Sequence, residues 1–257
     1  MDKDMAYTGK SVLVTGSATG SGLGIARGFF EEGATVLIND VRPAILEKTH
    51  GELRGEFGGR ALAHLADVRD AAQVAAMFDA LQGPTGRLDV VVSNAGIYPD
   101  CPIIEMEEEL WDRVMDTNAK GNFLVCREAA RRMIGQGSGG NIIAISSGSA
   151  RSGRIKAAAY CASKAAVTLF SEVLSTEVAP HGIRVNIINP GFVETRSDVN
   201  PIAEWRLEAA KKASPRGRMV TPRDVANAAL FLASDNAECT NGMTFSVTGV
   251  RGVARVG

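Results

Sequence analysis

Short apolar runs alternate with longer segments of helical periodicity along the whole chain. The first of these runs, Ser11–Thr15, is continuous rather than alternating in polarity, which is typical of a strand that is covered on both faces of a sheet. Seven such runs predict strands at Ser11–Thr15, Ala34–Asp40, Arg60–Ala66, Leu88–Ser93, Asn141–Ser146, Arg184–Ile188 and Met243–Val247.

Helical patterns fill the intervals between these strands. They lie at Gly22–Glu32, Ala71–Leu81, Leu110–Ile134, Ala157–Ala179 and Pro222–Ala233, with a further helix that ends at Gly58 and Gly59. This alternation predicts the α/β class, with right-handed crossovers, a parallel, doubly wound sheet and helices on both of its faces. The chain has no linker or internal repeat, so we expect one domain over residues 1–257. The long insertion after the sixth strand, residues 192–219, predicts a substrate lid.

A glycine-rich loop joins the first strand to the first helix. It runs Thr15-Gly16-Ser17-Ala18-Thr19-Gly20-Ser21-Gly22. Glycine at position 16 permits a tight turn, and glycines at positions 20 and 22 allow the backbone to approach a pyrophosphate at the start of the helix. The loop therefore predicts a dinucleotide site, although glycines needed only for packing would give the same pattern.

Asp40 ends the second strand, 24 residues after Gly16. A carboxylate at this place can accept hydrogen bonds from both hydroxyls of an adenosine ribose, whereas a 2′-phosphate would meet like charge. Thr19 in the loop supplies no positive charge to offset that repulsion. We therefore predict that the cofactor is NAD and not NADP.

Three residues predict the chemistry. Tyr160 and Lys164 lie four positions apart at the start of an alanine-rich helix, so they share one face of it. An ammonium group and a positively charged nicotinamide would lower the tyrosine pKa from its ordinary value near 10 towards the range of a base. Ser147, at the end of the fifth strand, could hydrogen-bond a substrate oxygen.

These motifs together resemble the short-chain dehydrogenase/reductases, in the branch of about 250 residues. The similarity rests on Thr15-Gly16-x3-Gly20-x-Gly22, Asn94-Ala95-Gly96, Asn118, Ser147, Tyr160-x3-Lys164 and Asn189-Pro190-Gly191, and it runs from about Lys10 to Gly249. It departs from the family pattern at Ser21, where Ile is usual, and at Ser93, where Asn is usual.

The resemblance implies a Rossmann-type sheet of seven strands in the order 3-2-1-4-5-6-7 and an assembly that is a homotetramer or a homodimer. It also implies a catalytic tetrad. Tyr160 would be the general acid/base, and Lys164 would lower its pKa and hold the nicotinamide ribose. Ser147 would orient the substrate oxygen, and Asn118 would support a water in the proton relay.

The resemblance and the loop together give a set of predicted cofactor-binding residues. These are Gly16, Ser17, Thr19, Gly20, Ser21, Gly22, Leu23, Asp40, Asp67, Val68, Asn94, Ala95, Gly96, Tyr160, Lys164, Pro190, Gly191, Val193 and Thr195. For two of them another interpretation stays open: Asn94 could act only by stabilising the sheet, and Thr195 could be a helix N-cap.

The predicted reaction is the reversible oxidation of a secondary alcohol to a ketone by hydride transfer. Ser149, Tyr98, Phe192 and Trp205 are the predicted substrate contacts, and their mostly apolar character favours a hydrophobic or cyclic substrate. Arg151, Arg154 and Arg196 could receive an anionic substrate, although solvated surface positions are the favoured interpretation. The alternatives are a 3-oxoacyl-[acyl-carrier-protein] reductase that uses NADPH, a sugar, polyol or dihydrodiol dehydrogenase, and a non-catalytic dinucleotide-binding regulator.

Composition and charge exclude other classes of function. The chain carries 28 basic and 29 acidic side chains without a long basic run, so we expect no nucleic-acid partner. No stretch of 18 apolar residues predicts a membrane span, and no amino-terminal segment resembles a signal peptide. The four cysteines and three histidines have no metal-ligand spacing, so we predict reduced thiols, no metal and a cytoplasmic protein.

Overall fold

The fold is organised around one parallel sheet. The structure is a computed structural model that describes residues 5–194, 204–214 and 216–249. Its strands are β1 (Ser11–Val14), β2 (Thr35–Asp40), β3 (Ala61–Leu65), β4 (Val90–Ser93), β5 (Gly140–Ile145), β6 (Ile183–Pro190) and β7 (Thr244–Val247). The sheet order is β3-β2-β1-β4-β5-β6-β7, and every neighbouring pair is parallel. The predicted order of seven strands is confirmed.

Eight α-helices lie within the described residues. They are α1 (Gly20–Glu31), α2 (Pro43–Phe57), α3 (Ala71–Thr85), α4 (Glu108–Met115), α5 (Gly121–Gln136), α6 (Ala158–Val178), α7 (Glu204–Ala213) and α8 (Pro222–Ala233). Local sequence determines several ends. Asp70 caps α3 by accepting from the backbone N–H groups of Ala72 and Gln73, and Gly86 ends the helix in the left-handed conformation.

The core is split into two clusters by the sheet. Successive strand residues point to opposite faces, so Val12 and Val14 belong to one cluster while Leu13 belongs to the other. The first cluster packs α1, α2 and α8 against the sheet, and the second packs α3, α5 and α6. Both faces of the central strands are therefore buried, which explains their continuous apolar sequence.

The helix predicted over Leu110–Ile134 is two helices. A π-helical turn, Asp116–Lys120, separates α4 from α5 and contains the buried Asn118. Apolar positions continue on both sides of the turn, so the sequence resembles one helix, but the extra residue shifts their phase between α4 and α5. The insertion changes which face of the helix carries Asn118.

The two ends of the segment predicted as a lid contact each other. Val193 and Val220 form an isolated parallel bridge, and the Glu194 N–H donates to the Val220 carbonyl at 2.8 Å. Between them lies α7, which the polarity pattern did not predict.

No helix among the described residues is both long and apolar enough to cross a lipid bilayer.

Candidate active site

A cavity of about 900 Å³ lies where the strands of the sheet end at their carboxyl termini. Its lining comes from the residues that follow β1 to β6. In open parallel sheets this edge is where ligands bind, and the volume falls in the range of about 300 to 1,000 Å³ that ligand sites occupy. The sheet order reverses direction between β1 and β4, and the glycine loop lies beside that point.

The glycine loop needs its glycines for two different reasons. Gly16 has a φ of +59°, and a Cβ there would lie 2.7 Å from the Cα of Ala95. Gly22 has no such φ, but a Cβ there would lie 2.6 Å from Asn94 Nδ2 and closer still to the Gly16 carbonyl oxygen. Gly22 therefore allows the start of the helix to pack onto its own loop. This close packing is a second reason for glycine at position 22, in addition to the predicted approach to a pyrophosphate.

Asn94 ties the end of β4 to the end of β1. Its Nδ2 donates to the carbonyls of Thr15 and Gly16 at 2.9 and 3.0 Å. In return Thr15 Oγ1 accepts from the backbone N–H groups of Asn94 and Ala95 at 3.0 and 3.1 Å. These bonds hold the floor of the cavity, which supports the structural interpretation of Asn94.

Ser17 does not line the cavity and has a structural role. Its hydroxyl donates to the Val14 carbonyl at 2.6 Å and accepts from the Asn39 N–H at 3.1 Å, and its own N–H donates to the Asn39 carbonyl at 2.7 Å. Sequence reasoning missed Asn39. Its Oδ1 accepts from Gly16 N–H, and its Nδ2 donates to the carbonyls of His64 and Ala66, so one side chain joins three loops of the site.

Asp40 forms a two-pronged ion pair that the sequence did not reveal. Arg42 Nε and Nη2 donate to Asp40 Oδ1 and Oδ2 at 2.8 and 2.9 Å, and Nη2 also reaches Thr19 Oγ1 at 3.2 Å. A guanidinium therefore lies where the adenosine ribose of a dinucleotide would bind. Asp40 is buried beneath it, and all three residues line the cavity.

Asp67 and Val68 follow β3 and line the same end of the cavity. Arg69 binds the Asp67 carboxylate with two nitrogens, and its hydrogen bonds are the main reason that the Asp67 pKa lies below its ordinary value. Val68 packs against Gly121 at the start of α5, where a Cβ would lie 2.8 Å from Val68 Cγ2.

Tyr160 and Ser147 meet across the other end of the cavity. Burial raises the pKa of Tyr160 above its ordinary value of 10, while a hydrogen bond with Ser147 and the charge of Arg154 act in the lowering direction. The net effect of the protein is upward. The predicted lowering therefore requires the positive charge that a bound oxidised nicotinamide brings.

Lys164 lies below Tyr160, one helical turn along α6. Its Nζ donates to the Ile145 carbonyl at 2.8 Å and lies 5.9 Å from the centre of the Tyr160 ring. Burial lowers the pKa of Lys164 from 10.5 to about 8. The ammonium form therefore still prevails at neutral pH, close to the tyrosine.

Asn118 uses its side chain within the protein. Its Oδ1 accepts from the Ile97 N–H at 2.8 Å, and its Nδ2 donates to the Ile97 carbonyl and to Ser163 Oγ at 2.8 and 3.0 Å. These bonds fix the loop after β4 against α6. The predicted support of a water in a proton relay stays a prediction.

Aromatic and polar side chains form the substrate end of the cavity. The rings of Tyr98 and Tyr160 meet edge to face with centroids 5.8 Å apart, and Ser149 and Phe192 line the wall beside them. Arg154 lines it too, with its guanidinium carbon 5.6 Å from the centre of the Tyr160 ring. Arg154 is thus a partly exposed residue of the cavity wall, and its binding of an anionic substrate stays a prediction.

Most of the predicted site residues line this one cavity. They are Gly16, Thr19, Gly20, Ser21, Gly22, Asp40, Asp67, Val68, Asn94, Ala95, Gly96, Tyr98, Ser147, Ser149, Tyr160, Lys164, Pro190, Gly191, Phe192 and Val193. Ser17, Leu23 and Asn118 are described but are not among the lining residues. Thr195 and the side chain of Trp205 lie outside the described residues.

A dinucleotide fits the residues present. Gly16, Gly20 and Gly22 line the cavity, Asp40 stands at one end of it, and the buried ammonium of Lys164 lies at the other. Within the described ranges no group of His, Cys, Asp or Glu side chains could hold a metal ion.

Comparison with known proteins identifies the family. The family model described as Enoyl-(Acyl carrier protein) reductase matches residues 16–249. The chain belongs to the short-chain dehydrogenase/reductases. Solved structures with a similar fold include a short-chain type dehydrogenase/reductase from Mycobacterium marinum. It has 34% identity and a TM-score of 0.85, with coverage of 96% of this chain and 97% of that one. A short chain dehydrogenase from Bacillus anthracis has 30% identity and a TM-score of 0.88, with coverage of 94% and 96%.

Three curated relatives have names that state an activity. D-threitol dehydrogenase of Mycolicibacterium smegmatis is 36% identical over 97% of this chain and 95% of its own. Galactitol 2-dehydrogenase of Agrobacterium fabrum is 35% identical, with 95% and 98% covered. A 3-oxoacyl-[acyl-carrier-protein] reductase of Chlamydia muridarum is 38% identical, with 93% and 96% covered. The short-chain dehydrogenase/reductase described here is an NAD(P)-dependent oxidoreductase that acts on CH–OH groups.

Proposed function

We propose that the protein is an NAD-dependent dehydrogenase that reversibly oxidises a secondary alcohol of a polyhydroxylated substrate to a ketone. One observation carries the proposal: Ser147 and Tyr160 meet at the cavity wall, with the buried ammonium of Lys164 beneath the tyrosine. This arrangement supports proton transfer at one substrate oxygen.

The chain's own residues orient the alcohol and move its proton. The Ser147 hydroxyl holds the substrate oxygen, and the Tyr160 phenolate takes the hydroxyl proton as the carbon–oxygen double bond forms. Lys164 supplies positive charge beside the phenolate. NAD⁺, when bound, accepts the hydride that leaves the carbinol carbon, and Lys164, Asn94 and the glycine loop would position it.

Asp40 supports NAD over NADP. Its carboxylate is buried at the end of β2, where it would accept from ribose hydroxyls and oppose a 2′-phosphate. Arg42 weakens that opposition, because it supplies at Asp40 the positive charge that Thr19 lacks. The preference for NAD thus depends on Asp40 keeping Arg42 engaged.

The character of the cavity wall supports a polyhydroxylated substrate over the hydrophobic or cyclic one that the apolar residues predict. Ser149 and Arg154 line the cavity together with Tyr98 and Phe192, so the wall offers hydrogen-bond donors as well as aromatic faces. Two of the relatives are named for polyols, threitol and galactitol. A sugar or polyol dehydrogenase was an alternative from the sequence, and we now favour it.

The test is an NAD⁺-reduction screen over polyols, sugars and hydrophobic or cyclic secondary alcohols, with NADP⁺ in parallel. We expect the largest kcat/KM with a polyhydroxylated substrate and NAD⁺. A preference for hydrophobic alcohols would contradict the substrate class. NADPH-dependent reduction of a 3-oxoacyl thioester, without polyol oxidation, would favour the acyl-carrier-protein reductase instead. NADH binding with no turnover in either direction would point to a non-catalytic regulator.

We infer a homotetramer from two separate apolar faces. One face includes the exposed side chains of Leu169 and Val173 on α6 and Phe123 on α5. The other includes Phe231 of α8 and Phe245 of β7, which are also exposed and whose ring centroids lie 6.1 Å apart. Two such faces allow two kinds of two-fold contact, as a tetramer with closed symmetry requires. Light scattering should give a mass four times that of the chain. A homodimer would leave one face open, and a monomer would contradict the inference.

A further inference from the structure

We infer that Arg154 binds a carboxylate of the substrate, so that the site takes a polyhydroxylated acid in preference to the neutral polyol of the same configuration. This inference rests on the proposed function and names a narrower substrate class for the same cavity. It starts from the charges on the wall around Tyr160.

Apart from Lys164, which is buried beneath Tyr160, Arg154 is the one charged side chain in the described segments that form the substrate end of the cavity. Three segments form that end: residues 97–99, 147–154 and 190–193. Their lining residues are apolar, aromatic, glycine or serine, apart from Arg154. No described carboxylate lines these segments, and the Asp100 carboxylate is paired with Arg154 Nη2 behind the wall, so a substrate anion would share the guanidinium with Asp100.

Hydrogen bonds hold both the backbone and the guanidinium of Arg154. The Arg154 N–H donates to Cys161 Sγ at 3.4 Å, and its carbonyl accepts from the Ala157 N–H at 3.1 Å. At the other end, Nη2 donates to Asp100 Oδ1 at 2.9 Å. Asp100 is not among the described lining residues, so it positions the guanidinium from behind. Such preorganisation lowers the entropy cost of binding a ligand.

One donor of Arg154 has no partner in the described part of the chain. Nε is buried and makes no hydrogen bond there, although the side chain as a whole is 30% exposed. Buried polar groups are nearly always satisfied by protein, water or ligand. The guanidinium carbon lies 5.6 Å from the centre of the Tyr160 ring, and Arg154 lines the cavity there. A substrate that reacts at Tyr160 therefore extends past this donor within a few bonds of its reacting carbon.

The test compares acids with polyols that differ only in one terminal group. Three pairs serve: D-gluconate with D-glucitol, D-galactonate with galactitol, and D-threonate with D-threitol. Each compound is titrated calorimetrically into the wild-type enzyme with saturating NADH, and kcat/KM is measured with NAD⁺. We expect the acid to bind at least about tenfold more tightly than its polyol in at least one pair.

Variants of two arginines isolate the charge. Arg154→Gln should abolish the preference for the acid, measured as the ratio of acid to polyol affinity, and Arg154→Lys should keep part of that ratio because a charge remains without the planar fork. Arg151→Gln is the control, since Arg151 is exposed in the same loop and does not line the cavity. If Arg154 acted only on Tyr160, the rates with acid and polyol would fall together and their ratio would not change.

Failure of the inference differs from failure of the proposed function. Equal or weaker binding of the acid in all three pairs, or no detectable acid binding at about 10 mM, overturns the carboxylate site. Tighter binding of an acid that depends on Arg154 but yields no NADH leaves the carboxylate site standing and removes the proposed reaction.

Discussion

The two ends of the cavity are built in different ways. At the cofactor end, backbone groups and buried amides of Asn39 and Asn94 join the loops after β1, β2, β3 and β4 at close range. At the substrate end, side chains from separated loops, such as Arg154 and Asp100, meet through one ion pair between partly exposed groups. The first end is part of the core of the sheet, while among the described residues the second end is built from loops that Asn118 and this ion pair join.

This difference teaches where change is tolerated. A substitution in the cofactor end disturbs several strands at once, because each amide there holds more than one loop. A substitution in the substrate end alters one wall of the cavity. The same sheet can therefore keep one cofactor while its substrate varies, as the different names of its relatives suggest.

Tyr160→Phe removes the proton transfer and leaves both ends of the cavity in place, and it has the largest expected effect. It removes the hydroxyl that carries the proton and keeps the ring that packs against Tyr98. We expect kcat to fall at least about a thousandfold, within the range of general acid–base contributions, while NADH binding measured by fluorescence stays within about twofold. Activity within tenfold of the wild type would remove Tyr160 from the role of acid/base.

Gly22→Ala tests whether the cofactor end depends on close packing. The new Cβ would collide with the Gly16 carbonyl and Asn94 Nδ2, so the loop must move. We expect NADH to bind at least about a hundredfold more weakly in calorimetric titration, or the variant to unfold at lower temperature.

Gly55→Ala is the matched control for that substitution. Gly55 is exposed in α2 with no atom within 4 Å of an added Cβ, so alanine should stabilise the helix by about 0.5–1 kcal/mol and leave NADH binding unchanged. Equal behaviour of the two variants would contradict the packing argument.

Lys164→Met tests the burial of a charge between the two ends. Because the folded pKa is about 8 and the ordinary value is 10.5, the unfolded chain binds more protons between these pH values. The wild-type free energy of unfolding should therefore rise, relative to that of the variant, by about 2 kcal/mol from pH 7 to pH 9.5. Urea unfolding at several pH values measures this difference. A difference that does not change with pH would show that Lys164 titrates normally.

Asp40→Ser probes the far edge of the cofactor end and has the smallest expected effect. It removes the carboxylate that engages Arg42 and leaves the guanidinium available to a 2′-phosphate. The ratio of kcat/KM with NADP⁺ to that with NAD⁺ should rise at least about tenfold. Adding Arg42→Ala to the same chain should reverse most of that rise. An unchanged ratio in Asp40→Ser would mean that Asp40 does not determine the cofactor.

The sequence predicted the cofactor end better than the substrate end, for a physical reason. Continuous apolar strands and a glycine loop leave local patterns, and the seven strands follow them. Arg42 escaped notice because an ion pair with Asp40 depends on side-chain conformations, which spacing does not reveal. Arg154 and Asp100 are 54 positions apart, so only the folded chain brings them together. Ser17 is predicted to bind the cofactor, but its hydroxyl is buried in bonds to the Val14 carbonyl and the Asn39 N–H, which the sequence pattern does not reveal.

The π-helical turn at Asp116–Lys120 determines which way the side chains of α5 point around the helix axis. A π turn holds about one residue more than an α turn, and one residue corresponds to about 100° of rotation around a helix axis. Without the extra residue, either Asn118 would turn away from Ile97 or the apolar stripe of α5 would turn away from the sheet. A single-residue deletion here would thus act as a rotation rather than a loss of contact, felt along the whole of α5.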